Sequence, residues 1–89
     1  MIPNSIWYLA KDAVRKDPQV PSIIDFPSMN DWEVAITHDN DSNFLVIGFV
    51  RTRNAYGIEV KRFWLVVGSH YKDDMWHIKV SWLRDEPAD

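Results

Sequence analysis

The chain has 89 residues, 46% of them hydrophobic, with five Trp, no Cys and a formal net charge of −3. That length suits one small domain, whole or as a fragment of a larger protein, with one modest core. Without Cys there are no disulfides, thiolate nucleophiles or Cys-ligated zinc, and the negative balance gives no bulk attraction to nucleic acid or an anionic membrane.

Residues 5–17 predict a helix, because Ile6, Leu9, Ala10, Ala13 and Val14 recur at the spacing of one apolar stripe. Asn4 or Ser5 would cap its start, and Pro18 ends it by disfavouring a helical residue before its ring. Trp7 and Tyr8 lie beside the stripe and are expected to wrap the sheet edge. Residues 18–30 carry Pro18, Pro21 and Pro27 and predict an extended, kinked connection. It has room for a turn or an irregular edge strand, with part of Ile23, Ile24 and Phe26 packed on the domain.

From 32 to 38, Trp32, Val34 and Ile36 alternate with Glu33, Ala35 and Thr37, the pattern of a half-buried strand. A polar turn follows from His38 to Asn43. Residues 44–53 and 58–68 read as a long hairpin around Asn54-Ala55-Tyr56-Gly57. Ser69 to Asp74 is another polar turn. In the last strand, residues 75–83, Trp76, Ile78, Val80 and Trp82 face one side and His77, Lys79 and Ser81 the other. Arg84 to Asp89 reads as a frayed acidic tail.

These elements define an α+β fold: an N-terminal helix across one face of a four-stranded antiparallel meander, cystatin-like in shape. Ile6, Leu9, Ala13 and Val14 are expected to pack on Trp32, Val34, Ile36, Ile78 and Val80. The central hairpin is apolar on both faces: Phe44, Val46 and Val50 oppose Leu45, Ile47 and Phe49, and Phe63, Leu65 and Val67 oppose Trp64 and Val66. One helix covers one face. The other is covered either by the connection and long side chains, or by a protein partner or second copy. No apolar run approaches the roughly 20 residues of a membrane span, and Met1-Ile2-Pro3 does not read as a signal peptide.

Several motifs carry a resemblance. They are Ala10-Lys11-Asp12-Ala13-Val14-Arg15-Lys16-Asp17-Pro18, then Ser22 with Phe26-Pro27-Ser28, then Asp31-Trp32, and later Gly48-Phe49-Val50, Asn54-Ala55-Tyr56-Gly57 and Phe63. Together they resemble a small bacterial and phage domain family. In it a helix ends in a lysine-aspartate/serine-proline step, a Ser-x-x-x-Phe-Pro segment follows, and a strand runs into an Asn-x-(aromatic)-Gly turn. Its members look like envelope proteins, often with an N-terminal anchor and sometimes a zinc ribbon, and carry no assigned activity. The resemblance implies an extracytoplasmic or envelope setting. Composition leaves the cytosol equally open, and this chain shows neither anchor nor ribbon.

Catalytic signatures are missing from the sequence: there is no G-x-S-x-G, H-E-x-x-H or Gly-rich phosphate loop. His38, His70 and His77 read as surface residues. Asp39-Asn40-Asp41-Ser42-Asn43 resembles the start of a calcium loop, but Phe44 and Val50 stand where Gly and a bidentate Glu are needed. No cofactor or metal is expected. The candidate contact site is the hairpin tip, where Arg51, Arg53, Lys61 and Arg62 surround Tyr56 and suit an acidic partner. The competing reading is solvated charge, neutralised by Glu59, Asp31, Asp85 or Glu86. The expected function is a non-catalytic protein-interaction module, binding a partner or a second copy. The alternative is a small ligand-binding or enzymatic domain with a pocket between helix and sheet.

Overall fold

The computed structural model describes residues 3–19, 22–39, 43–72 and 75–88. Helix α1 spans Pro3–Lys16, and five strands follow: β1 (Ile23–Asp25), β2 (Ala35–His38), β3 (Asn43–Arg53), β4 (Glu59–Lys72) and β5 (Met75–Pro87). All pair antiparallel in one sheet of order β1-β3-β4-β5, with β2 also on β3. The fold is α+β, with one helix on an antiparallel sheet. The sheet has five strands rather than four because part of the Pro-rich connection pairs as β1, Ile23 opposite Thr52 and Asp25 opposite Arg51. The Thr52 hydroxyl, fully buried, donates to the Ser22 carbonyl at 2.6 Å and ties that connection down. β1 and β2 lie end to end along one edge of β3.

The helix begins at Pro3, not Ser5. A proline suits the first helical position, where its missing N–H has no intrahelical partner to lose. Arg15 and Lys16 fall in the last turn, complementing the helix dipole, and the helix stops before Pro18. Ile6, Ala10 and Val14 are fully buried, and Trp7 is buried with them. Trp7 therefore belongs to the core instead of wrapping an edge: its ring stacks on Trp64 at 5.9 Å. Such a pair contributes about 0.5–1.5 kcal/mol beyond the area it buries.

On the helix side, each row across the sheet is a set of cross-strand partners. Phe44 faces Gly68 and Ile78; Val46 faces Val66 and Val80; Gly48 faces Trp64 and Trp82; Val50 faces Arg62 and Asp85. Two of these rows match a glycine to an aromatic. A Cβ on Gly48 would come within 2.8 Å of the Trp64 ring, and one on Gly68 would overlap Phe44. The absent side chains of the two glycines leave the space that the two rings occupy.

Trp32 departs from its expected place. The Asp31 carbonyl accepts from the Val34 N–H at 3.0 Å, and the Asp31 carboxylate accepts from the Glu33 N–H at 2.9 Å. This turn consumes the backbone groups a strand would use, so β2 starts only at Ala35 and Trp32 is 88% exposed. Nor does the end fray after Leu83: β5 runs on to Pro87, with Leu83 bulged out where Phe63 pairs Arg84 and Trp64 pairs Trp82. Among the described residues no helix is long and apolar enough to cross a membrane.

Candidate interaction surface

The face away from α1 is built from the other rows: Thr37, Leu45, Val67 and Lys79; then Ala35, Ile47, Leu65 and Ser81; then Phe49, Phe63 and Arg84; then Arg51, Lys61 and Glu86. Strand alternation places these residues together. Near the Asn54–Gly57 turn the face is covered. Phe49 and Phe63 pack on each other at 5.6 Å and are almost fully buried. The Lys61 ammonium lies 4.8 Å from the Phe49 ring centre, and the Arg84 guanidinium 4.7 Å from that of Phe63. Lys61 is fixed in turn by Glu33 at 2.6 Å, both largely shielded. Long cationic side chains laid over aromatic faces remove apolar surface from water. The other half of the face has no such lid among the described residues: Leu45 is 36% and Val67 43% exposed, with Ile47 and Leu65 part-buried beside them.

The five residues singled out at the hairpin tip do not converge on one surface. Arg51 and Lys61 are cross-strand partners on the outer face, while Arg62 sits in the row of Val50 on the helix side. Arg51 pairs with Glu59 at 2.6 Å and approaches Asp25 at 3.7 Å. Arg62 donates two hydrogen bonds to the Asp85 carboxylate, at 2.8 and 3.0 Å. Arg84 pairs with Glu86 at 2.6 Å. Arg51, Lys61, Arg62 and Arg84, four cations, meet the five carboxylates of Asp25, Glu33, Glu59, Asp85 and Glu86 at this end. Arg53 donates to the Gly57 carbonyl at 3.2 Å, and Tyr56 stands 87% exposed at the tip. The turn itself is organised by Asn54, whose side-chain oxygen accepts from the Tyr56 and Ile58 N–H groups, and by Gly57 at φ 78°, a backbone region that favours glycine.

The Arg62 hydrogen bonds hold the Asp85 carboxyl below the ordinary carboxylate range against the opposing effect of partial burial, with charge attraction adding to them. The same bonds raise Arg62, which stays cationic throughout. An open groove of about 560 Å³ at this end is lined by Ile58, Glu59, Val60, Asp85, Glu86, Pro87 and Ala88. Its carboxylates are the ones already paired.

The histidines are dispersed. His38 ends β2, His70 packs on Trp76 with ring centres 5.0 Å apart, and His77 is exposed on the outer face of β5 opposite Ser69. Among the described residues no three His, Cys, Asp or Glu side chains are grouped to hold a metal. Of the polar turn residues, Asp39 accepts from the Asn43 backbone and side chain at 3.0 and 3.1 Å, while Asn40, Asp41, Ser42, Asp73 and Asp74 lie outside the described residues. Sequence reasoning flagged the apolar outer face but not its division into a lidded and an open half. The signal was present for Lys61, which alternation puts on the face of Phe63 and Phe49, but not for Arg84, which reaches Phe63 only through the Leu83 bulge.

No family model matches this chain, and no curated protein and no solved structure is significantly similar to it.

Proposed function

We propose that this domain is a non-catalytic protein-interaction module that meets its partner through the open half of the outer sheet face. The observation that carries this reading is the contrast within one face. Phe49 and Phe63 are lidded by cationic side chains, whereas Leu45, Ile47, Leu65 and Val67 are left accessible. Contiguous exposed apolar side chains on a folded surface suit contact with another protein. The competing reading, a carrier or enzyme with a pocket between helix and sheet, needs space where Trp7, Trp64, Val46 and Val66 meet. Those residues fill its centre, and the space left at its margin, between Leu9, Ala13, Ile78 and Val80, is an open cleft and not an enclosed cavity, which favours the interaction module. The motif resemblance to bacterial envelope and phage domains sets the surroundings in which the partner is sought.

The test is affinity capture from an extract of the source cells, with a Leu45→Lys, Val67→Lys double variant as control. A protein retained by the parent chain and lost by the variant supports the proposal. Equal retention, or none by either chain, rejects it. Sedimentation velocity at micromolar concentration reports whether the same face takes a second copy.

A further inference from the structure

Strand β5 ends the sheet order, so one edge of its 13 residues bonds β4 and the other meets no strand of the described residues. In an antiparallel ladder about every second residue points its N–H and C=O toward such an edge. A free edge is a template for an added strand. Here it has two further properties. First, a cleft runs beside it. Ile78 and Val80 line an open space of about 370 Å³ with Leu9 and Ala13 and with the charged Asp12, Lys16 and Asp17, and Ile78 stays 36% exposed. Second, Lys79, between them in sequence, points to the other face, is exposed, and has no carboxylate within ion-pair distance among the described residues.

We propose that the free edge of β5 accepts an extended segment of a partner protein as an added strand. The segment alternates: apolar side chains on one face enter the cleft between α1 and β5, and an acidic side chain on the other lies opposite Lys79. Backbone pairing supplies the general attraction, and the alternating side chains supply the selectivity. A lysine at the middle of the edge, with no carboxylate partner among the described residues, favours an opposite charge across from it and disfavours a like one.

A second copy of the chain is the obvious competitor, and the same lysine argues against it. The regular run of β5 extends from Trp76 to Trp82, ending at the Leu83 bulge. A two-fold pairing that uses all of it matches Trp76 with Trp82 and Ile78 with Val80, and sets Lys79 directly against its own copy. Lysine on an edge strand is a recurrent guard against such self-pairing, and the bulge and Pro87 close the rest of the edge.

The inference rests on reading the domain as an interaction module, but it places the contact on the edge and not on Leu45 and Val67, so the two can fail separately. The test is an NMR titration of the isotope-labelled chain with an end-blocked heptapeptide, Val-Thr-Val-Glu-Val-Thr-Val. Amide shifts and slowed exchange are expected along 76–82, with shifts at Leu9 and Ala13, and the same response in a Leu45→Lys variant, whose substitution lies two strands away from β5. A peptide with lysine replacing the glutamate should bind about five-fold more weakly. Lys79→Glu should reverse that order. The inference is overturned if millimolar peptide produces no shifts, or shifts centred on Leu45 and Val67. It is also overturned if charge reversal leaves the peptide order unchanged, or if shifts along 76–82 follow the concentration of the protein alone, which would assign the edge to a second copy.

Discussion

Gly48→Ala adds one methyl group at the floor of the core, and its consequence can be worked from the geometry. Two effects compete. Alanine in a strand gains roughly 0.5–1 kcal/mol over glycine by restricting the unfolded chain. Against this, the new Cβ would stand 2.8 and 2.9 Å from two atoms of the Trp64 six-membered ring. Trp64 is fully buried and stacked on Trp7, so it cannot retreat without displacing α1. Overpacking of this kind costs about 1–3 kcal/mol. The clash wins, and the variant should be less stable by roughly 1–2 kcal/mol, a fall in Tm of about 5–15 °C for a domain of this size. Urea unfolding followed by circular dichroism measures the first quantity and thermal scanning the second. A double-mutant cycle isolates the cause. Trp64→Phe removes the ring atoms that the methyl group would strike, so Gly48→Ala should be neutral or slightly stabilising in that background. An unchanged or raised Tm in the single variant, or an equal loss in both backgrounds, would refute the reasoning.

Three further outcomes follow from the same coordinates. Val14→Asp places a carboxylate where no solvent reaches, and should lower stability by several kcal/mol, about 3 or more, in the same urea assay. Gly57→Ala meets no steric obstacle but keeps φ near 78°, so it should cost roughly 1 kcal/mol, with the native fold retained in the NMR spectrum. The folded-state pKa of Asp85 is depressed, so its pairing stabilises the fold above the unfolded carboxyl pKa and is lost as pH falls through the folded value. Because the pair is partly solvated, Asp85→Asn should cost at most about 1 kcal/mol at pH 7, and the gap should close below roughly pH 4 in a pH series of unfolding curves.

The parts of the fold that were legible are those governed by local chemistry. The Asn54–Gly57 turn needed only an asparagine acceptor and a glycine of positive φ, and the flanking alternation placed β3 and β4 within a few residues. What escaped depended on a competing local turn or on partners distant in sequence. Trp32 fits a strand by alternation, yet the Asp31 turn holds the backbone before Ala35, and periodicity does not register that competition. Residues 84–87 look like a loose tail until the Leu83 bulge brings Asp85 under Arg62 on the helix side. The tip looked basic because its cations are clustered in the chain, whereas Asp25, Glu33 and Asp85 reach them only through the sheet. The apolar outer face was visible, but which half stayed open depended on Lys61 and Arg84 lying over two rings.

The stack of Trp7 on Trp64 has an optical consequence. The two indoles are held 5.9 Å apart and 25° from parallel, one on the helix and one on the sheet. Chromophores that close and that fixed couple their excitations, and the coupling gives a paired signal of opposite signs in circular dichroism. The signal belongs to the junction and to neither element alone. It should therefore vanish if α1 lifts away while β3 and β4 stay paired, a local opening that backbone signals would hardly register. Trp32, out in solvent, should emit at the wavelength of exposed indole even in the native state. Two tryptophans of one small chain thus report separately on the docking of the helix, and a third provides the solvent reference.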